Sequence, residues 1–311
     1  MSDCNALKKI KPKSVGGQAV IEGVMMKGPE DIAIAVRKPD GEIIVKKEKL
    51  NTNRKTISKI PILRGVYAFI DSMVLGVKSL MYSAEFFEEE EEQEKAPKKP
   101  SKLDEFFNNN VIWISVVVSI IFSVLLFILL PTVVVDVFKK FTVNPLYLNL
   151  IEGVVRIAIF IGYIAAVSRM KDIKRVFEYH GAEHKSIFCY EYGEELTVEN
   201  VKKHGRLHPR CGTSFLFIVM IVSILMFSLF SWSNVWMRLL VRILMLPVVA
   251  GVSYEIIKWA GRSSSWLSRV VSAPGMWLQK ITTREPDESQ IEVAIASLKS
   301  VLVDDPEADN W

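Results

Sequence analysis

Cysteine is scarce, with three residues in 311, at positions 4, 189 and 211. An odd number without paired spacing builds no disulfide framework and fits reduced thiols on the cytosolic side. The first residues, MSDCNALKKIKPKSVGG, lack the apolar core of about 7–15 residues that a signal peptide needs, so the N-terminus is expected to stay cytosolic. No Gly-Lys-Ser/Thr ending follows the early glycines, which excludes a phosphate loop, and no aromatic RNA-binding motif accompanies the basic residues. No repeat of fixed period is visible. What the chain does have is apolar residue, 50% of the total with a mean hydropathy of +0.24, which excludes a disordered or collagen-like chain. These residues gather in blocks long enough to cross a bilayer, about 20 residues each. The expected fold class is mainly α: a polytopic membrane protein with four transmembrane helices, a membrane-surface amphipathic helix and a small N-terminal β-hairpin region. A net charge of +4 and a pI near 8.8, with the basic residues beside apolar blocks, speak of membrane orientation and not of nucleic acid.

Val111 to Leu130 carries no charge and ends at Pro131. Leu146 to Ser168 is interrupted only by Glu152 and Arg156, four apart and ordered for an ion pair. Segment 111–168 is thus expected to hold the first two spans. Thr213 to Trp232 is uncharged, Ser233 and Asn234 connect, and Val235 to about Ala260 follows, a helical hairpin over 213–260. Arg169, Lys171, Lys174, Arg175, Lys185, Lys202, Lys203, Arg206 and Arg210 crowd segment 169–212, whereas Lys139 and Lys140 alone separate the first two spans. Positive residues stay inside, so a cytosolic His-rich loop at 169–212 and two cytosolic termini are expected.

Residues 1–60 read as a β-rich segment in which Asp31 to Arg37 and Glu42 to Lys49 flank Pro39-Asp40-Gly41, a turn. In 61–87, Ile62, Val66, Phe69, Ile70, Met73, Val77, Leu80 and Met81 recur at helical spacing among Arg64, Asp71 and Lys78, predicting an amphipathic interfacial helix. The acidic, then basic run that follows reads as a charged linker over 88–110. Segment 261–311 is expected to be cytosolic, broken at Pro274-Gly275, with a short helix from Ile291 to Leu302.

All four histidines fall between His180 and His208. His180, Glu183 and His184 form an H-x-x-E-H array, which on a helix sets two imidazoles one turn apart with a carboxylate beside them. His204, His208 and Cys211 follow about twenty residues on. Zinc accepts nitrogen and sulfur tetrahedrally, so this pool can fill a site, although other divalent metals remain open. Glu183 is either a general base or a partner orienting a histidine. The plain alternative is a set of solvated surface histidines, with Cys211 packed at the mouth of an apolar helix.

Glu152, Arg156, Arg238 and Arg242 are charged groups inside apolar blocks, costly unless paired or hydrated. They make either one ion pair with a snorkelling Arg238, or an anion pocket for a lipid headgroup. Glu255 is expected to pair locally with Lys258.

Gly16-Gly17-Gln18-Ala19-Val20-Ile21-Glu22-Gly23-Val24-Met25-Met26, Glu178 to Lys185 and His208 to Phe215 closely resemble the YqhQ-like family of bacterial membrane proteins, over nearly the whole chain. The resemblance implies a bacterial cell membrane protein of a domain of unknown function, labelled a predicted metal-dependent enzyme, with no known substrate. His180, Glu183, His184, His208 and Cys211 match its pattern, and His204 less securely. The glycines around Gln18 and Glu22 permit close backbone approach, so either Glu22 reaches the histidine cluster as a further carboxylate or Gly16-Gly17 is a turn before a sheet strand.

Two function classes follow. One is a membrane-embedded metal-dependent hydrolase of peptides or lipids, with zinc on His180, His184 and one of His208, Cys211 or His204, and Glu183 activating water. The other is a non-enzymatic membrane factor whose structural zinc supports binding of a membrane-protein partner. A transporter is disfavoured, because mid-bilayer charges are few and no paired broken helices appear. Membrane lipids are the expected partners. Cysteine-accessibility labelling is expected to find segment 169–212 on the cytosolic side, and labelling of it from outside intact cells overturns the orientation.

Overall fold

The computed structural model describes residues 14–50, 60–93, 114–142, 144–228, 235–263 and 265–303. Four strands, β1 (Gly16–Val20), β2 (Gly23–Lys27), β3 (Asp31–Arg37) and β4 (Ile43–Lys49), form an antiparallel meander in chain order. The helices are α1 (Leu63–Gln93), α2 (Ile114–Phe138), α3 (Pro145–Val167), α4 (Lys171–Glu191), α5 (Val198–Lys203), α6 (Gly212–Ser228), α7 (Val235–Arg262), α8 (Trp266–Thr282) and α9 (Glu288–Val301). They distribute over two compact units, one of Met1–Glu88, Ala166–Ile218 and Ala250–Trp311, the other of Glu89–Ala165 and Val219–Val249.

In the first unit the central strands β2 and β3 are buried on both faces, and the two-residue period of the strands sorts the side chains. Val24, Met26, Ala33 and Ala35 point to one face, where Tyr179 and Ala182 of α4 and Ile291, Ala294 and Leu298 of α9 cover them. The methyl side chains at 33 and 35 let α9 lie close, and Ser297 donates to the Ala33 carbonyl at 3.0 Å. Val20, Met25, Ile34 and Val36 point to the other face, against Leu75, Tyr82, Phe86 and Phe87 of α1. The expected turn joins β3 to β4 with Gly41 at φ +89°, a conformation glycine adopts without a Cβ clash. A reciprocal capping box of Asp287 and Gln290 starts α9.

Among the described residues three helices are long and apolar enough to cross a membrane, Ile114–Phe138, Leu146–Val167 and Leu240–Arg262. The expected third span is described as α6 over 17 residues, Gly212–Ser228, which is as far as the described residues reach there. Residues 229–234, including the expected connection at Ser233 and Asn234, lie outside the described residues, as do Val111 to Trp113.

Several sequence expectations are corrected. Pro131 does not end the first span, since α2 runs on to Phe138 through a π turn at Leu125–Leu129 in which the Leu130 N–H reaches back to Leu125 O. The wider turn takes up the crowding that a proline ring imposes on the preceding turn. The helix α1 continues through the acidic run to Gln93, because glutamate is a good helix former and no glycine or proline interrupts before Pro97. The segment read as a His-rich loop contains α4 and α5. Pro274 lies inside α8, whose neighbour Gly275 brings the backbone so close to Ser214 that a Cβ would stand about 2.7 Å from its Cα. This packing holds the helix together across the proline. Glu255 pairs with Arg64 of α1, at 2.6 Å from Nε, and not with Lys258, which stands over the Tyr254 ring.

Gly181 of α4 abuts the carbonyl of Arg284, whose N–H in turn donates to Phe177 O at 2.8 Å. Gly181→Ala is expected to lower stability by about 1–3 kcal/mol through overpacking. Gly162→Ala, where open space surrounds the position, is the control. A thermal melt of the detergent-purified protein showing equal Tm values for both variants contradicts the packing argument.

Candidate metal centre

The helix α4 places His180, Glu183 and His184 on one face, as spacings of three and four require. The two imidazoles stand 4.4 Å apart, ring centre to ring centre, edge to face. His180 Nδ1 is 2.9 Å from Thr282 O and His184 Nδ1 is 2.6 Å from Arg206 O. A carbonyl only accepts, so each Nδ1 carries a hydrogen and Nε2 is the atom each ring has left to offer. Cys211, in the turn before α6, sends Sγ to 3.2 Å from His180 Nε2. One donor atom from each of His180, His184 and Cys211 lies within 4.8 Å of the others.

Electrostatics agree with this convergence. Burial pushes the Cys211 thiol up, but His184 and His180 outweigh it and hold it well below the usual thiol value. Burial lowers His180, yet the facing Cys211 and Glu183 charges carry it up to about 9. Glu183 is 4% exposed, and burial raises its carboxyl, with His184 and His180 opposing. Its Oε2 lies 3.9 Å from His180 Nε2, and both that oxygen and His184 Nε2 are buried without a hydrogen-bond partner. Buried polar atoms are ordinarily paired. Two imidazole nitrogens, a thiolate and a carboxylate are the donors a zinc-like divalent ion takes, and two orphaned atoms are what such an ion would satisfy, so the residues fit a metal.

The glycine-rich stretch supports Glu183 by yielding space. A Cβ on Gly17 would stand 2.9 Å from Glu183 Cγ and 2.7 Å from Met25 O. Glu22 itself is elsewhere: it pairs with Arg175 through both carboxylate oxygens and accepts from Tyr179 Oη at 3.2 Å, at a left-handed φ of +48° between β1 and β2. Glu22 is thus not a carboxylate at the histidine cluster but sits in a turn anchored on α4, and Gly16-Gly17, the alternative turn, instead begin strand β1.

His208 stacks beside His184 at 5.6 Å between ring centres, but its nitrogens are committed. Nδ1 accepts from the Arg210 N–H at 3.3 Å and Nε2 faces Glu191 Oε2 at 3.4 Å. Burial, with His184 next, lowers its pKa to about 3, which keeps the ring neutral. His204 lies in a separate group with Cys189 and Glu194, its Nε2 3.2 Å from Glu194 Oε2. There burial, then Glu194, raises Cys189 to about 11, so this sulfur stays a thiol and is a poor ligand. Sequence reasoning missed Gln279 and Thr282 of α8. Gln279 accepts from His208 N at 2.7 Å and donates to His208 O at 2.8 Å and Ser214 Oγ at 3.1 Å, clamping the turn that carries Cys211. A glutamine on the buried side of an amphipathic helix was the one available signal.

In the second unit, Glu152 Oε1 accepts from Arg156 at 2.7 Å and from Arg242 at 2.6 Å. Arg242 also stands 5.7 Å from the Phe227 ring centre. The Arg238 side chain lies outside the described residues. One carboxylate thus serves two guanidiniums.

A family model described as "Protein of unknown function (DUF1385)" matches residues 60–304. The uncharacterised protein YqhQ of Bacillus subtilis (strain 168) is 38% identical over 299 residues, covering 94% of this chain and 93% of its own. No solved structure matches.

Elemental analysis of purified variants is expected to show metal loss in His180→Ala, His184→Ala and Cys211→Ala, and parental metal content in His204→Ala. Equal content in all four removes the metal centre. For the charges of the second unit, Glu152→Gln leaves two buried guanidiniums without a carboxylate, while Arg242→Leu leaves a neutral pair. The first is expected to cost on the order of 3 kcal/mol and to lower Tm more than the second. The opposite ranking refutes the shared-carboxylate account.

Proposed function

The chain belongs to the DUF1385 family of proteins of unknown function, so its chemistry is read from its own residues, and we propose a membrane-embedded metal-dependent hydrolase, a peptidase or lipid hydrolase. His180, His184 and Cys211 would hold the ion, zinc by their chemistry, and Glu183 is the general base. The observation that carries the reading is Glu183: a buried carboxylate beside the three donors, with one oxygen left unpartnered. A bound divalent cation supplies Lewis acidity that polarises a carbonyl and acidifies water.

The chain's own groups do the rest. Thr282 and Arg206 carbonyls fix the two imidazole tautomers and keep both Nε2 atoms turned inward. Glu183, raised by burial in the absence of an ion, has the basicity to take a proton from water and return it to a leaving group. Gly17 leaves room for its side chain.

A second reading has one observation in its favour, the burial of Glu183, His184 and Cys211. In it Glu183 completes a closed tetrahedron, and the protein acts by binding a membrane-protein partner. Glu183→Gln separates the two, since it keeps size and an acceptor oxygen but cannot take the proton. The hydrolase reading expects metal and fold retained and complementation of a deletion strain lost, with activity falling by about 10²–10⁴. A Gln variant that complements like the parent overturns it.

A further inference from the structure

α8 is packed on one side only. Ser268, Gly275, Leu278, Gln279 and Thr282 are buried, and they include the clamp on His208 and the carbonyl that fixes His180. Trp266, Val270, Ala273 and Trp277, spaced four, three and four, form the opposite stripe. Three of these are large and well exposed: Trp266 at 68%, Val270 at 56% and Trp277 at 49%. Tryptophan is a costly residue to leave in water, and two on one stripe of a helix are not explained by packing within the chain.

Charge narrows the occupant. Residues 256–284 hold Lys258, Arg262, Arg269, Lys280 and Arg284 and no aspartate or glutamate. Arg262, Arg269 and Lys280 are exposed. Tryptophan with a basic, acid-free fringe is the composition of a helix seated at a lipid headgroup boundary. The connection fixes the place. Leu240–Arg262 is apolar and long enough to cross a membrane, and three residues separate Arg262 from Trp266, a path of at most ~14 Å at ~3.6 Å per residue. The start of the helix is thereby held close to the membrane surface at which α7 ends.

We propose that α8 is an interfacial helix whose Trp266, Val270 and Trp277 face enters the headgroup boundary of the bilayer, so that the histidine centre sits directly behind it. The helix is about 10–12 Å across with its side chains. The bilayer surface is therefore one helix diameter from His180. Resting on the hydrolase reading, the corollary is that substrate arrives along the membrane surface and not from bulk solution.

The test measures depth and does not depend on activity. Val270→Cys and Trp277→Cys are made in full-length protein carrying Cys4→Ser, Cys189 and Cys211 being buried. Each is labelled with a nitroxide and reconstituted into vesicles of phosphatidylglycerol and phosphatidylcholine. Glu285→Cys, exposed beyond the end of α8, is the aqueous reference. Both stripe labels are expected to shift toward oxygen and away from a water-soluble nickel chelate relative to position 285. Chelate access equal to the reference overturns the proposal, because the stripe then faces water. Loss of access to both reagents also overturns it, because a protein, a second copy included, then covers the stripe. If the stripe labels prove lipid-facing while Glu183→Gln remains functional, the interfacial seat stands and the hydrolase reading falls.

Discussion

Two backbone carbonyls organise the centre. Thr282 O and Arg206 O each accept an Nδ1–H, which leaves Nε2 as the atom each imidazole offers, that of His180 at 3.2 Å from Cys211 Sγ. Without them each ring could rotate and present either nitrogen. Both carbonyls belong to segments distant in sequence, and both segments are themselves held. Arg206 donates to Thr283 Oγ1 at 2.8 Å, and Thr283 Oγ1 donates to Gln279 O at 2.7 Å. The site is thus anchored by one helix end and one turn, tied to each other as well as to the histidines.

Close backbone approach is the second constraint. Gly17 stands against Glu183, Gly181 against Arg284 and Gly275 against Ser214. Each contact brings together elements that carry site residues, and each leaves no room for a methyl group. The sheet contributes through the same economy, because alanines at 33 and 35 allow α9 to lie flat while valine, methionine and isoleucine fill the opposite face against α1.

The buried charges divide into two kinds. Glu152 accepts from both Arg156 and Arg242, so its carboxylate is hydrogen-bonded, although each guanidinium keeps a buried Nε without a hydrogen-bond partner. Glu183 differs, since neighbouring imidazoles oppose its burial without hydrogen-bonding its Oε2. A carboxylate kept in that condition is the reason for assigning chemistry to this site and packing to the other.

Periodicity, charge and motif spacing determined much of this protein. The uncharged blocks predicted the apolar helices, Pro39-Asp40-Gly41 the β3–β4 turn, and the i, i+3, i+4 spacing of His180, Glu183 and His184 their shared face, all local properties of the chain. The reach of α2 past Pro131 was not legible, because a π turn overrides the local signal for an end, and α1 runs into its acidic stretch on glutamate's own helix propensity. Tertiary structure alone decided which of His204, His208 and Cys211 joins the pair. All three lie within eight residues of one another, so spacing gives no preference. Glu191 and the Arg210 N–H occupy His208, Glu194 engages His204, and the turn before α6 brings Cys211 Sγ to 3.2 Å from His180 Nε2 as well as from Thr213 Oγ1. Which donor atoms converge depends on segments far apart in sequence, and nearness of that kind is a property of the fold.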